Sequence, residues 1–285
     1  MTGTLYLCAT PIGNLEDMTM RALRVLKEVD LIAAEDTRTS GHLLSAFGIT
    51  TPVISYHKFN EEVRGEELLG RLLAGQSIAV ITDAGMPGIS DPGEVLVRKC
   101  HEAGVTVTGL PGASASVTAL AVSGQSTRRF VFEGFLPTET KEKGEVLERL
   151  RSEERTIILY EAPHRLKKTL DSLVQTFGEA RSISLCRELT KKHEEIVKTT
   201  LGEAHMLYST KEPRGEYVLV LAGRSHEETV REKAARWEDM DIPSHVAMYE
   251  AEGQDHRTAM KSAARDRGIS KRDVYQALLA EKGKF

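Results

Sequence analysis

Cysteine is scarce in this chain. Cys8, Cys100 and Cys186 are odd in number, widely spaced and free of any Cys-x-x-Cys pairing. That excludes a disulfide framework and offers no zinc-ligand spacing, so no metal is expected and the three read as small core residues. Long hydrophobic runs are missing too: none approaches the roughly 20 residues that a membrane span needs. Met1 leads almost at once into a strand-like pattern, with no basic region followed by an apolar segment, so no secretory signal and a cytoplasmic location are expected. There is no low-complexity tract. Charge of one sign is not in excess either, since the net charge of −4 carries no global nucleic-acid signature and any phosphate-binding patch must be local. Neither Gly-x-Gly-x-x-Gly nor Gly-x-x-x-x-Gly-Lys-Ser/Thr occurs, which disfavours dinucleotide or nucleoside-triphosphate binding by those devices.

What is present is a steady alternation of short apolar, β-branched runs with amphipathic segments. Thr4 to Ala9, Val29 to Ala34, Val53 to Tyr56, Ser77 to Thr82 and Val105 to Leu110 read as strands. Asp17 to Glu28, Ser40 to Phe47, Asn60 to Ala74 and Pro92 to Ala103 read as the helices between them, and Pro111 to Ser116 as the start of another. Strand and helix alternating across short connections predict an α/β domain with a largely parallel sheet. After a break at Ser123 to Arg129, Phe130 to Phe135, Thr156 to Tyr160, Ile183 to Cys186 and Tyr217 to Ala222 form a second, smaller set of strands, with helices over Lys141 to Arg155 and from Pro163 to Gly178. The expected organisation is an α/β domain over 1–125, a second α/β domain over 126–225 and a helical tail over 226–285. In that tail, Arg257 to Arg267 and Lys271 to Glu281 read as two helices around Gly268-Ile269-Ser270, resembling a small helix-turn-helix, with Ser270 and Asp273 in an N-cap pattern.

The most informative stretch is Thr82-Asp83-Ala84-Gly85-Met86-Pro87-Gly88-Ile89-Ser90-Asp91-Pro92-Gly93. Glycines and prolines fix an unusual backbone path there, and Asp83 and Asp91 supply acceptors at the two ends. Taken alone it is also what a well-made strand-to-helix turn looks like. Two more such loops, Pro11 to Asn14 and Pro111 to Ser116, fall at the C-terminal ends of predicted strands, the edge where open α/β sheets bind ligands. In the second half, Arg165, Arg187 and Lys191 follow predicted strands and are candidates to hold phosphate by charge-assisted hydrogen bonds. His164 reads as an ordinary charged helix start.

Ala9-Thr10-Pro11-Ile12-Gly13-Asn14-Leu15-Glu16-Asp17, Glu35-Asp36-Thr37-Arg38, the Thr82 to Gly93 loop, Tyr160-Glu161-Ala162-Pro163-His164-Arg165 and Arg187-Glu188-Leu189-Thr190-Lys191 together resemble the ribosomal RNA small subunit methyltransferase I signature. The resemblance runs from Thr4 to about Gly223 and places the chain in the wider tetrapyrrole methylase-like group of two-domain enzymes. It implies S-adenosylmethionine bound in a cleft between two α/β domains, and methyl transfer to a cytidine ribose 2′-hydroxyl of 16S ribosomal RNA in the small ribosomal subunit, by a homodimer. Pro11 and Ile12, then Asp83, Gly85 and Met86, then Ser114 and Ala115 would border the donor, completed by Tyr160, Pro163 and Leu189. Glu35, Asp36 or Glu188 would act as a base on the hydroxyl, or Arg38, Arg165 and Lys191 would lower its pKa and make a dedicated base unnecessary. Arg38, Arg165, Arg187 and Lys191 would face RNA, where a cation also lowers the pKa of the hydroxyl. Tetrapyrrole methylases typically carry a Gly-Pro-Gly-Asp type first loop, and Thr10-Pro11-Ile12-Gly13-Asn14 departs from it. Two other classes stay open at this point: a tetrapyrrole methylase acting on a small molecule, and a noncatalytic RNA-binding assembly factor.

Overall fold

A computed structural model of the chain describes residues 2–225, 235, 237 and 239–282. Its first half alternates strictly: β1 (Thr4–Cys8), α1 (Met20–Glu28), β2 (Leu31–Ala34), α2 (Thr37–Ala46), β3 (Val53–Ser55), α3 (Glu61–Leu73), β4 (Ile78–Ile81), α4 (Glu94–Glu102), β5 (Thr106–Leu110) and α5 (Ala115–Val122). The strands form one sheet in the order β3-β2-β4-β1-β5, and every pairing is parallel. Strands β2 and β4 are buried along their whole length because helices cover both faces, which is why they read as unbroken apolar runs. On one face Ala22, Val25, Leu26 and Leu44 pack on Ile32 and Ile81; on the other Leu68, Leu72, Leu96 and Cys100 pack on Leu5, Ile78 and Val80.

The second half contains β6 (Phe130–Phe135), α6 (Thr140–Arg151), β7 (Thr156–Glu161), α7 (Pro163–Phe177), β8 (Ser182–Arg187), β9 (Glu195–Thr200), α8 (Leu201–Thr210) and β10 (Tyr217–Leu221). Its sheet runs β6-β7-β10-β8-β9, with β6 parallel to β7 and the remaining pairs antiparallel. Leu147 and Leu150, with Leu166, Leu170 and Leu173, fill one face against Ile157, Leu159, Leu185 and Leu219. The other face is covered by a helix from the first half: Ala119 and Leu120 of α5 pack on Ile158, Cys186, Val218 and Val220. One helix thus leaves its own sheet to close the other, and the two halves make a single compact unit, residues 1–150 with 156–222.

Four expectations need correcting. Pro92 does not open α4; its carbonyl accepts the Gly88 N–H at 3.1 Å, and the helix starts at Glu94 behind Gly93, whose φ of +147° suits glycine. The helix expected over Lys141 to Arg155 stops at Arg151. Helix α5 begins at Ala115, so Pro111 to Ser114 is loop. Strand β9 and helix α8 went unread between Arg187 and Tyr217; they share Thr200, which ends the strand and caps the helix in a reciprocal box with Glu203.

Residues 151–155 and 223–285 form a second unit. Of the expected tail, 226–234, 236, 238 and 283–285 lie outside the described residues. The remainder holds three helices, α9 (Ile242–Ala251), α10 (His256–Arg267) and α11 (Lys271–Lys282), around Val246, Ala259, Met260, Ala263 and Val274. Ser270 and Asp273 cap α11 reciprocally, the Asp273 carboxylate accepting the Ser270 N–H at 3.0 Å and the Ser270 hydroxyl accepting the Asp273 N–H at 3.2 Å. No helix among the described residues is long and apolar enough to cross a membrane.

Candidate active site

Two of the three loops at the C-terminal edge of the parallel sheet are tied together by hydrogen bonds. Thr10 and Gly85 exchange backbone hydrogen bonds of 2.9 and 3.1 Å, and the buried Thr10 hydroxyl donates to the Thr82 carbonyl at 3.1 Å. From the second half, the Tyr160 hydroxyl accepts the Ser116 N–H at 3.1 Å, satisfying one of the open donors in the first turn of α5. The Tyr160 ring is held edge-on by Phe132 and Phe135, at 4.9 and 5.6 Å between centroids. Gly13 explains another close approach: a Cβ there would lie 2.4 Å from Lys191 Cγ, so only glycine lets the first loop meet the loop after β8.

Between these loops lies a cavity of about 360 Å³. Ten of the residues singled out in the sequence line it: Ile12, Glu35, Asp83, Gly85, Met86, Ser114, Ala115, Tyr160, Leu189 and Lys191. Its character is apolar with an excess of carboxylates. Burial pushes the Glu35 carboxyl above its ordinary range, and the Asp83 charge adds to that. Asp83 is raised for the same first reason. Asp91, half-buried and facing both, is pushed up to about 7 by burial first and then by Glu35 and Asp83. Glu161 also lines the cavity; its buried carboxylate accepts from Thr169 at 2.5 Å and from the Ala162 N–H at 2.9 Å and lies 3.4 Å from the Arg165 guanidinium.

The other expected residues stand outside the cavity lining. Pro11 is buried in the first loop, and Pro163 is the first residue of α7. Asp36 caps α2, its carboxylate accepting the Arg38 N–H at 2.8 Å, while its own N–H donates to Asp83 Oδ1 at 3.3 Å. Glu188 sits at a φ of +50° and accepts from the Glu216 N–H and from Lys191 Nζ, both at 3.0 Å. The Glu216 amide, with Lys191, holds that carboxyl below its ordinary value, which makes Glu188 a poor proton acceptor.

Of the four basic residues, three are engaged inside the molecule. Arg165 bonds the Leu136 carbonyl and faces Glu161; Arg187 pairs with Glu195 at 3.0 Å across β8 and β9; Lys191 holds Glu188 and, at 2.8 Å, Glu216. Burial works to lower the Lys191 ammonium, but the bonds to Glu216 and Glu188 outweigh it and its value is raised. Arg38 stands clear, its side chain 93% exposed and 4.0 Å from Asp36.

Ile89, Ser90 and Asp91 of the singled-out loop and Glu161 at the end of β7 also line the cavity, together with Phe135, Glu216, Tyr217 and Val218, which were not among the expected site residues. A backbone signal marks this region: Ser90, Glu188 and Thr190 are the non-glycine residues with positive φ among those described, and all three lie on the cavity loops. No cluster of metal-ligating side chains occurs among the described residues.

Residues 4–205 match the family described as Tetrapyrrole (Corrin/Porphyrin) Methylases. A solved structure of diphthine synthase shares the fold, with a TM-score of 0.62 at 15% identity over 79% of this chain and 92% of that one. Fold and site therefore define a methylase of the tetrapyrrole type, two α/β halves with a cleft between them. The chain is 47% identical over 273 residues to the ribosomal RNA small subunit methyltransferase I of Halalkalibacterium halodurans, covering 96% of this chain and 93% of the relative. It is 48% identical over 277 residues to the protein of that name from a Synechocystis species, covering 97% and 98%. The chain belongs to the ribosomal RNA small subunit methyltransferase I family.

Proposed function

We propose that this chain transfers the methyl group of S-adenosylmethionine to the 2′-hydroxyl of a cytidine in 16S ribosomal RNA. The observation that carries the reading is the cavity, where apolar side chains and three crowded carboxylates converge from the strand ends of one sheet and the loops of the other. When bound there, the donor supplies an electrophilic methyl group on a positively charged sulfur. Asp83 and Asp91 offset such a charge better than they suit an anionic ligand. Ile12, Met86 and Leu189 cover apolar parts, Gly85, Ser114 and Ala115 bring backbone close, and Tyr160 fixes the wall; Pro11 and Pro163 stiffen the loops behind them.

The acceptor alcohol is weakly acidic, so it must be positioned and must lose a proton. Among the three candidate carboxylates Glu35 lines the cavity, and its raised pKa favours taking a proton there. Asp36 positions the start of α2, and Glu188 shapes the loop that carries Leu189. Arg38 holds RNA phosphate, and Lys191 sits where it can steady the hydroxyl oxygen; Arg165 and Arg187 brace the wall. In this reading residues 1–125 and 126–225 share the donor, residues 226–285 add RNA contact, and a homodimer works in the cytoplasm on the small subunit.

Incubation with methyl-labelled S-adenosylmethionine and undermethylated small subunits, followed by mapping of the label, tests this. Label on one cytidine ribose is expected, with Glu35→Gln slowing turnover about 100-fold or more while donor affinity holds. Label on a base, transfer to a porphyrin precursor, or no transfer overturns it, and unchanged turnover in the Glu35→Gln protein removes the base.

A further inference from the structure

Phe59 is 95% exposed, more than any other large apolar side chain among the described residues. It does not sit on a loose loop. The turn that carries it follows β3, whose Ser55 pairs with Ala34 of β2, so the turn leaves the sheet beside the segment that delivers Glu35 to the cavity. Tyr56, fully buried, anchors it from below and donates its N–H to the Ala34 carbonyl at 2.8 Å. Asn60 locks it from the side: its carboxamide oxygen accepts the His57 N–H at 2.8 Å and its own N–H donates to the His57 carbonyl at 2.9 Å. Glu61 then accepts the Gly93 N–H at 3.1 Å, tying the turn to the loop that lines the cavity. An aromatic ring is therefore displayed on a hydrogen-bonded turn at the same sheet edge as the segment carrying Glu35, 95% exposed and with an edge contact to His57 at 6.1 Å.

The charges around it choose the partner. The nearby acids are engaged: Asp36 caps α2, Glu61 binds Gly93, and Glu62 pairs with Lys99 at 3.2 Å. Lys58, the chain neighbour of Phe59, is exposed to meet anions, and Arg38, just past the end of the adjacent strand, is 93% exposed with the Asp36 carboxylate 4.0 Å away. A flat apolar ring next to an exposed lysine fits a base with its phosphates, whereas a protein partner would want a broader apolar surround than Val63 provides.

We propose that Phe59 is a stacking platform for an unpaired nucleotide of the RNA, adjacent in the strand to the nucleotide that enters the cavity. This rests on the RNA methyltransferase reading above and adds a positioning contact to it. Base stacking on one aromatic ring sets the expected scale, so Phe59→Ala raises the KM for undermethylated small subunits about tenfold. The Kd for S-adenosylmethionine and the melting temperature stay as in the unaltered protein, because the ring is solvent-exposed and outside the cavity lining. Phe59→Trp restores the KM, and its added fluorescence, read against the single native Trp237, is quenched by a short single-stranded RNA.

An unchanged KM in Phe59→Ala, equal loss in Phe59→Ala and Phe59→Trp, or a change in oligomeric state on removing the ring overturns the platform. If the unaltered protein methylates no ribosomal RNA, the parent reading fails instead. The fluorescence titration then still decides the platform, with quenching supporting it and its absence overturning it.

Discussion

At the scale of single residues, the carboxylates of the cavity set a pH dependence whose sign can be worked out. Asp91 has an ordinary value of 3.8 and is pushed to about 7 in the folded chain, chiefly by burial and then by Glu35 and Asp83. The folded state therefore binds this proton more tightly than the unfolded chain does. Its contribution to stability is complete below the ordinary value and fades as pH rises toward 7. The side chain is only partly buried, so after screening the effect is about 1 kcal/mol, or roughly 2 °C in melting temperature. Asp91→Asn should thus melt higher than the unaltered protein at pH 8 by about that amount relative to the difference at pH 5. A cationic ligand in the cavity favours the ionised carboxyl, so saturating S-adenosylmethionine should shrink the gap at pH 8. Scanning calorimetry at the two pH values checks both; a gap that does not widen with pH removes Asp91 from the coupled trio.

At the scale of elements, Thr200 has two jobs, and a single substitution separates them from the cavity. It closes β9 opposite Ser182 and caps α8, where its hydroxyl accepts the Glu203 N–H at 3.2 Å. Thr200→Ala should cost about 1 kcal/mol in denaturant unfolding, as a lost N-cap does, with donor affinity unchanged. A donor affinity that falls in parallel would mean that α8 supports the cavity. The same region marks the limit of what the sequence discloses. Strands β2 and β4 were legible because a parallel strand covered on both faces must be apolar throughout, and their ends announced the site. Strand β9 is an edge strand whose residues alternate between half-buried and exposed, and it passes into α8 with no glycine or proline between them.

The engagement of the basic residues was hidden for a related reason. Arg187 and Glu195 are eight positions apart and become neighbours only when the register of β8 with β9 is fixed. Arg165 meets Glu161 one helical turn back, but the Leu136 carbonyl that completes its contacts comes from a distant segment. Which charged side chains remain free for a ligand is a property of tertiary pairing. Phe59 escaped notice in the sequence because its exposure depends on the Asn60 lock rather than on any pattern of residue types.

At the scale of the whole molecule, each of the two units has its own core. Residues 1–150 with 156–222 contain both sheets and the entire cavity lining, while the C-terminal helices pack on Val246, Ala259, Met260, Ala263 and Val274. In the proposed reading the donor is held by the first unit, and the composition of the C-terminal residues points to a different task. Residues 256–285 carry eight Lys or Arg against three Asp or Glu in a chain whose net charge is −4. A local basic excess binds phosphates by releasing counterions, each contact steepening the salt dependence of affinity by close to one unit of logarithmic slope. A chain ending at Ser225 should keep its S-adenosylmethionine Kd within about twofold while its affinity for undermethylated small subunits falls roughly tenfold, with a salt dependence shallower by about two units. Calorimetry for the donor and filter binding across a salt series for the subunit measure the two, with circular dichroism confirming that the shortened chain is folded. Equal loss of both affinities, or loss of neither, rejects an RNA role for the C-terminal helices and leaves Arg38 and Lys58, at the edge of the first sheet, as the main phosphate contacts.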